Sequence, residues 1–165
     1  MNSKVAVVMG SASDKDIALE AVNTLRGYGV PCTARVMSAH RTPQEAQAFA
    51  QSLIADGYGV VIAFAGMAAH LAGAIAANTV LPVIGVPVES GPLSGMDALL
   101  ATVQMPSGIP VATVAVNGAK NAAILAVQML AVADAALRAK LTEERAGMRS
   151  KVLAADAALQ QELDQ

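Results

Sequence analysis

Two histidines are the side chains of this chain that can exchange a proton near neutral pH without a large perturbation. The first, His40, stands in the segment Ser38-Ala-His-Arg-Thr-Pro43. Arg41 beside it offers a planar guanidinium that suits phosphate or carboxylate, and Ser38 offers a hydroxyl. A lone loop histidine is usually structural, but the combination of serine, histidine and arginine favours a proton-transfer role for His40.

The segment Gly10-Ser-Ala-Ser-Asp14 is a candidate anion site. It stands between an apolar run and a helical pattern, where backbone N–H groups and the positive end of a helix attract phosphate. Ser11 and Ser13 add hydroxyl donors, whereas Asp14 would repel a phosphate and suits the hydroxyls of a sugar. The alternative is that Ser13 or Asp14 only caps the helix. The segment lacks the glycines and the lysine of dinucleotide and Walker loops.

The second histidine, His70, lies in Ala65-Gly-Met-Ala-Ala-His-Leu-Ala-Gly73. The small residues of this segment, Gly66 among them, let the backbone approach a ligand closely. The alternative is that His70 packs among alanines at a helix start. No cysteine or carboxylate stands at metal-ligand spacing near either histidine, so we expect no metal. The absence of a Gly-x-Ser-x-Gly motif argues against a serine hydrolase.

Each of these segments follows a short apolar run that is typical of a strand. Strand and helix patterns alternate five times, which predicts a parallel sheet with helices on both faces and right-handed crossovers. We therefore predict an α/β, three-layer, flavodoxin-like sandwich that binds ligands beyond the carboxyl ends of its strands. Thr42, Pro43 and Glu45 fit a capping box at one helix start. The predicted strands are 5–9, 33–37, 60–64, 82–86 and 110–116.

The last segment, residues 134–165, differs from the 1–133 body because it holds 11 of the 24 charged residues. We expect it to form one long C-terminal helix of a single domain spanning 1–165. This helix either docks on its own domain or contacts another subunit, and the apolar body favours the subunit contact. Its apolar residues recur with an 11-residue period at Leu137, Leu141, Met148, Val152, Leu159 and Leu163.

The composition excludes several partners. The chain has 165 residues, of which 55% are hydrophobic, and this suits one packed core. A net charge of -2 and an aromatic content of 2% argue against nucleic acid and against a polybasic membrane contact. The uncharged stretch 57–88 contains Asn78 and Pro82, so it predicts buried strands rather than a membrane span. With one cysteine, Cys32, and no targeting segment, we expect a cytoplasmic protein.

Six ordered motifs lie between Val5 and Leu130. They are M-G-S-x-S-D at 9–14, S-A-H-R-T-P at 38–43, A-A-H-L at 68–71, P-V-I-G-V-P at 82–87, V-Q-M-P-x-G-x-P-V-A-T at 103–113 and N-A-A-x-L-A at 121–126. Each motif is weak alone, and the six together are highly specific. They resemble the motifs of the 5-(carboxyamino)imidazole ribonucleotide mutases, also known as the catalytic subunit of phosphoribosylaminoimidazole carboxylase.

The resemblance implies an isomerase of de novo purine (IMP) biosynthesis that acts without ATP, metal or organic cofactor. The reaction moves a carboxylate from the exocyclic nitrogen of an aminoimidazole ribonucleotide to ring carbon 4. The resemblance also implies a homo-octamer, proton transfer by His40, and Gly66 and His70 near the migrating carboxylate. The ribonucleotide contacts that it implies are Ser11, Ser13, Asp14, Ser38 and Arg41.

Two other functions stay open: direct carboxylation of aminoimidazole ribonucleotide with carbon dioxide, and a non-catalytic nucleotide-binding scaffold. The segments 41–43 and 68–71 resemble the mutase branch of the family rather than the direct carboxylases. Phe64, Met67 and Ala72 depart from the family pattern, which has Gly, Gly and Pro at these positions. Met67 is nearest the implied carboxylate pocket, where it could narrow the pocket or alter loop closure.

Overall fold

The computed structural model describes residues 4–164, in which strands and helices alternate along the chain. The strands are β1 (Lys4–Met9), β2 (Cys32–Val36), β3 (Tyr58–Gly66), β4 (Val83–Val88) and β5 (Ala112–Thr113). The helices are α1 (Lys15–Gly27), α2 (Pro43–Ser52), α3 (Leu71–Ala76), α4 (Met96–Val103), α5 (Ala119–Ala131) and α6 (Ala135–Leu163). A short 3-10 turn, Ala12–Asp14, precedes α1.

The five strands form one parallel sheet in the order β2-β1-β3-β4-β5. Successive side chains of a strand point to opposite faces, so β1 contributes to two cores. Val5 and Val7 pack with α1 and α5 on one face, and Ala6 and Val8 pack with α2 and α3 on the other. This arrangement confirms the predicted three-layer, flavodoxin-like fold.

The fifth strand is much shorter than the predicted 110–116. Its ladder with β4 pairs Ala112 and Thr113, and the next backbone contact is the Val114 N–H donating to the Gly85 carbonyl at 3.1 Å. The next residue of β4 that faces β5 after Gly85 is Pro87, and a proline has no N–H to donate to the ladder. The ladder therefore stops there.

The predicted starts of two helices need correction. The helical pattern through Asn121, Leu125 and Leu130 predicts a helix that opens at Asn117, but α5 begins at Ala119, because Asn117 adopts a left-handed backbone with φ of 57°. The predicted capping box at Thr42 is wrong, because the Thr42 side chain makes no capping hydrogen bond to α2, although Pro43 does begin that helix. The Thr42 hydroxyl instead accepts from the Ser38 N–H at 2.9 Å and donates to the Ser38 carbonyl at 3.0 Å. The hydroxyl therefore bonds Ser38 and makes no capping bond to α2.

The long C-terminal helix is confirmed as α6, and its first half docks on the body of its own chain. Leu137 and Leu141 pack against the core beside α5. Lys140 donates to the Tyr28 carbonyl at 2.8 Å, and the Tyr28 hydroxyl donates to the Glu144 carboxylate. Beyond this contact the apolar positions are exposed: Met148, Val152, Leu159 and Leu163.

None of the helices in residues 4–164 combines the length and apolar character that a membrane crossing requires.

Candidate active site

Four loops at the carboxyl edge of the sheet enclose a cavity of about 540 Å³. They follow β1, β2, β3 and β4, so the parallel arrangement brings four separate stretches of sequence to one place. The cavity brings together every site residue predicted from the sequence: Ser11, Ser13, Asp14, Ser38, His40, Arg41, Gly66 and His70. The remaining lining residues are Gly10, Ala39, Ala65, Met67, Ala68, Leu71 and Ser90.

The loop after β1 presents two serines and a buried carboxylate. Ser11 caps the 3-10 turn by accepting from the Ser13 N–H at 3.3 Å. The Ser13 hydroxyl donates to Asp14 Oδ1 at 3.1 Å, whereas the Asp14 side chain makes no capping bond to α1. The alternative that Ser13 or Asp14 only caps the helix is therefore wrong, since Asp14 stands at the N-cap of α1 without a side-chain capping bond and the capping serine is Ser11, at the turn before it.

Asp14 is the buried titratable group of this loop. Burial raises the pKa of its carboxyl above the ordinary value, and the hydrogen bonds from Ser13 and with Ser11 oppose this rise. A desolvated carboxylate with few partners binds hydroxyl donors well, because it has given up water that would compete with them.

The loop after β2 is closed by the two bonds between Ser38 and Thr42 described above. Arg41 extends back across the sheet edge, where its guanidinium donates to the Gly10 carbonyl at 3.0 Å. Its backbone N–H also donates to the Ser38 hydroxyl at 3.2 Å. The Nε–H of Arg41 donates to the same hydroxyl at 3.5 Å. Arg41 thus ties the second loop to the first, and its other guanidinium N–H groups stay available in a cavity rich in hydroxyls. His40 is exposed beside it.

The loop after β3 is held tightly by small residues. A Cβ at Gly66 would lie 3.1 Å from the Val88 carbonyl oxygen and would overlap the Ser90 hydroxyl. A Cβ at Gly73 would lie 2.7 Å from Cε1 of His70, so the imidazole rests directly on α3. The two glycines therefore permit the position of the loop and of the histidine ring.

Ser90 is the polar lining residue that the sequence reasoning missed. It stands two residues after β4, and its hydroxyl lies against Gly66 at the end of β3. The rule that ligands gather beyond the carboxyl ends of parallel strands applied to β4 as well as to β1, β2 and β3. That rule would have found Ser90, since β4 was correctly predicted.

Within the described part of the chain, no three His, Cys, Asp or Glu side chains are grouped so that they could hold a metal ion.

The order of the sheet reverses direction between β1 and β3, and the loops after both strands line the cavity. A parallel sheet with its cavity at such a switch point defines a flavodoxin-like α/β protein with a ligand site at the carboxyl edge. The chain belongs to the AIR carboxylase family, whose profile matches residues 4–151. This match confirms the family resemblance that the six motifs indicated.

Curated relatives cover nearly the whole chain at about half identity. The N5-carboxyaminoimidazole ribonucleotide mutase of Brucella melitensis biotype 1 is 51% identical over 92% of this chain and 95% of its own. The enzyme of the same name from Pyrococcus horikoshii is 50% identical, over 90% of this chain and 84% of its own. Its namesake in Mycobacterium tuberculosis is 48% identical, over 95% of this chain and 90% of its own.

The crystal structure of Treponema denticola PurE has the same fold. It superposes with a TM-score of 0.88 at 27% identity, covering 95% of this chain and 98% of that one. The similarity therefore extends over the α/β body and most of α6.

Proposed function

We propose that this protein is an isomerase of purine biosynthesis that converts 5-(carboxyamino)imidazole ribonucleotide into 5-amino-4-carboxyimidazole ribonucleotide. The observation that carries the proposal is that all eight site residues predicted from the sequence line one cavity in a chain about half identical to enzymes named as this mutase. An isomerase of this kind needs a proton donor, anchors for a ribonucleotide and a confined space. The cavity offers side chains suited to each need.

His40 is the proton-transfer residue in this proposal. Protonating the carbamate nitrogen allows its bond to the carboxyl carbon to break, which releases carbon dioxide and leaves the amine. Ring carbon 4 then attacks the carbon dioxide, and a base removes the proton from that carbon. One imidazole can act as the acid in the first step and as the base in the second.

The first two loops bind the ribonucleotide. Ser11, Ser13 and Ser38 supply hydroxyl donors, and the guanidinium of Arg41 supplies charge for the phosphate. Asp14 accepts from the ribose hydroxyls, which replace the water that this buried carboxylate has lost. The bond from Arg41 to the Gly10 carbonyl keeps the two loops at a fixed separation, so the anchors are in place before the ligand arrives.

The third loop holds the reacting end of the substrate. Gly66 and His70 lie near the migrating carboxylate, and the tight packing of Gly66 against Ser90 leaves little room for water behind the loop. Confinement keeps the carbon dioxide in contact with the ring, so the second step is effectively unimolecular.

In this proposal the enzyme assembles as a homo-octamer and acts in the cytoplasm. The exposed apolar half of α6 supports an assembly, since Met148, Val152, Leu159 and Leu163 have no partner within the described chain. Direct carboxylation of aminoimidazole ribonucleotide is not favoured, because the relatives compared above carry the mutase name.

The test follows ultraviolet absorbance of the carbon-carboxylated product without ATP. Purified protein is mixed with 5-(carboxyamino)imidazole ribonucleotide, and separately with aminoimidazole ribonucleotide plus bicarbonate. We expect fast conversion of the first substrate and poor use of the second at low bicarbonate. Preference for the second would assign the direct carboxylase instead.

The His40→Asn variant tests the role of the histidine. We expect turnover to fall by about 100-fold or more with substrate binding largely kept, because the proton transfer is lost while the anchors remain. Gln44→Asn, at an exposed position on α2 outside the cavity, is the matched control and should behave like the parent. A His40→Asn variant as active as the parent would contradict the assignment, and a folded parent that binds nucleotide without converting either substrate would indicate a scaffold.

A further inference from the structure

Met67 is an unusual residue of the loop after β3. Its φ is 54°, in the left-handed region that residues with a side chain rarely adopt. Its side chain is 58% exposed although it is apolar, and it lines the cavity. A residue that both lines a cavity and exposes more than half of its surface lies at the mouth of that cavity.

The backbone around Met67 fixes this unusual conformation. On one side, Gly66 is held in the sheet by its pairing with Val88, and it lies so close to the Ser90 hydroxyl that a Cβ would not fit there. On the other side, the Ala69 N–H donates to the Met67 carbonyl at 2.8 Å, and the His70 N–H donates to the Ala68 carbonyl at 2.8 Å. Met67 is therefore held by its neighbours at the start of a tight turn that leads to His70.

Met67 also differs chemically from the rest of the mouth. Among the described residues that line the cavity, the other large apolar side chain is Leu71, which is buried. Other exposed residues that line the cavity, such as Ser13, His40 and Arg41, carry polar groups. Strained positions of this kind concentrate at functional sites, where the side chain has a use that offsets the strain.

We propose that the Met67 side chain closes over the reacting end of the bound ribonucleotide and retains the carbon dioxide that is released during the transfer. This inference rests on the function proposed above. A thioether chain with three rotatable bonds adapts to the flat face of an aminoimidazole, and it presents no group that could hydrogen-bond the gas or admit water. The left-handed backbone directs this chain to the mouth from the same loop that carries His70.

The chemistry defines what retention means. Breaking the bond between nitrogen and the carboxyl carbon leaves the electron pair on the nitrogen, which takes a proton, and gives free carbon dioxide. Transfer is complete when ring carbon 4 bonds to that same molecule and loses its own proton. If the gas escapes first, the products are aminoimidazole ribonucleotide and carbon dioxide, and the original carboxyl carbon is lost.

The test uses substrate whose carboxylate carries carbon-13, in buffer with unlabelled bicarbonate and carbonic anhydrase. The readouts are the label kept at carbon 4 and the aminoimidazole ribonucleotide formed per turnover, both corrected for non-enzymatic decay. We expect Met67→Ala to lose about tenfold more label than the parent, which corresponds to a tenfold faster escape relative to capture. Consumption of substrate is recorded in the same samples, so that the label lost is expressed per molecule of substrate consumed.

Two further variants separate retention from general effects. Met67→Leu keeps an apolar chain of similar size and should retain label like the parent. Met96→Ala truncates another exposed methionine, at the start of α4 and outside the cavity, and should also retain label. Equal retention in Met67→Ala and the parent would overturn the inference alone, as would equal losses in Met67→Ala and Met96→Ala. A folded parent that forms no carbon-carboxylated product would overturn the proposed function and this inference with it.

Discussion

At the scale of single residues, Asp14 links the site to the stability of the fold. Burial raises the pKa of its carboxyl, so between the ordinary and the raised value the folded chain binds more protons than the unfolded chain. The free energy of unfolding therefore falls as the pH rises through this window, and the whole destabilisation is present above it. A carboxylate kept at this cost has a use outside folding, and in the proposed function that use is the binding of ribose.

The variant Asp14→Asn should be more stable than the parent at neutral pH. The amide avoids the cost of the buried charge, and its oxygen can still accept from the Ser13 hydroxyl. The advantage should disappear as the pH falls below the ordinary pKa of the carboxyl, where both chains are neutral at this position. Melting temperatures of the two proteins from acidic to neutral pH measure this. Asp16→Asn, at the exposed carboxylate two residues further on, controls for loss of charge near α1.

If the melting temperature of Asp14→Asn exceeded that of the parent by the same amount at every pH, the burial argument for Asp14 would be wrong. The variant should also bind the ribonucleotide more weakly, since a neutral amide accepts hydrogen bonds from hydroxyls less strongly than a carboxylate does.

Gly66 offers a second test at this scale. A methyl group there meets the Val88 carbonyl and the Ser90 hydroxyl, so Gly66→Ala should lower the free energy of unfolding by about 1–3 kcal/mol, as overpacking does elsewhere. Gly147→Ala is the matched control, since a Cβ at that position of α6 meets nothing within 4 Å and should stabilise by about 0.5–1 kcal/mol. Urea unfolding of both variants measures the difference. Similar changes in the free energy of unfolding for the two substitutions would contradict the prediction, because they would show that the residues around Gly66 move to accommodate the methyl group.

Sequence reasoning at the residue scale predicted side chains that line one cavity where their chemistry is local. His40, Arg41 and the serines were found because residue type and position after a strand suffice to nominate them. The hydrogen-bond partner of Thr42 was not predictable from the sequence. Its hydroxyl can bond either the N–H groups at the start of α2 or the backbone of Ser38, and the geometry of the loop decides between the two. Ser90 was missed because the carboxylate beside it, Glu89, was interpreted as a cap or ion-pair partner, and the loop after β4 was therefore not taken as part of the site.

At the scale of elements, the alternation of apolar runs and helical patterns was enough to predict the strands of the sheet and the long last helix. The exception is β5, and its reason lies in another strand, because Pro87 of β4 has no N–H for the ladder. A pattern within 110–116 cannot reveal a missing donor more than 20 residues away in sequence. The start of α5 depended similarly on the left-handed Asn117.

The start of α6 gives a prediction at this scale. Asp134 accepts from the N–H groups of Ala136 and Leu137 at 2.9 and 3.1 Å, and so caps the longest helix of the chain. Asp134→Ala should lower the free energy of unfolding by about 1 kcal/mol, because two N–H groups lose their acceptor. Asp134→Asn keeps an acceptor oxygen and should recover most of this loss. Denaturant unfolding of the three chains tests the order, and an alanine variant as stable as the parent would contradict the capping role.

At the scale of the whole molecule, α6 has two halves with different surroundings. The half near Leu137 and Leu141 is fixed to the body through Tyr28, as intramolecular docking requires. The second half exposes Val152 at 69% and Leu163 at 70%, which the chain by itself does not cover. The periodic pattern predicted one apolar stripe along α6. It could not show which part of the stripe docks on the body and which part is exposed, because the length of α6 that extends beyond the body depends on how the body packs.

The exposed half of α6 makes the assembly testable. We expect light scattering of the parent to give a particle several times the 16.7 kDa mass of one chain, with the octamer as the proposed state. The double variant Val152→Lys and Leu159→Lys places two charges in the apolar stripe, so the dissociation constant of the assembly should rise by at least about tenfold. Ser150→Lys with Gln161→Lys adds the same charge on the opposite face of the helix and should assemble like the parent. A monomeric parent, or equal assembly of both double variants, would mean that this stripe is not a subunit contact.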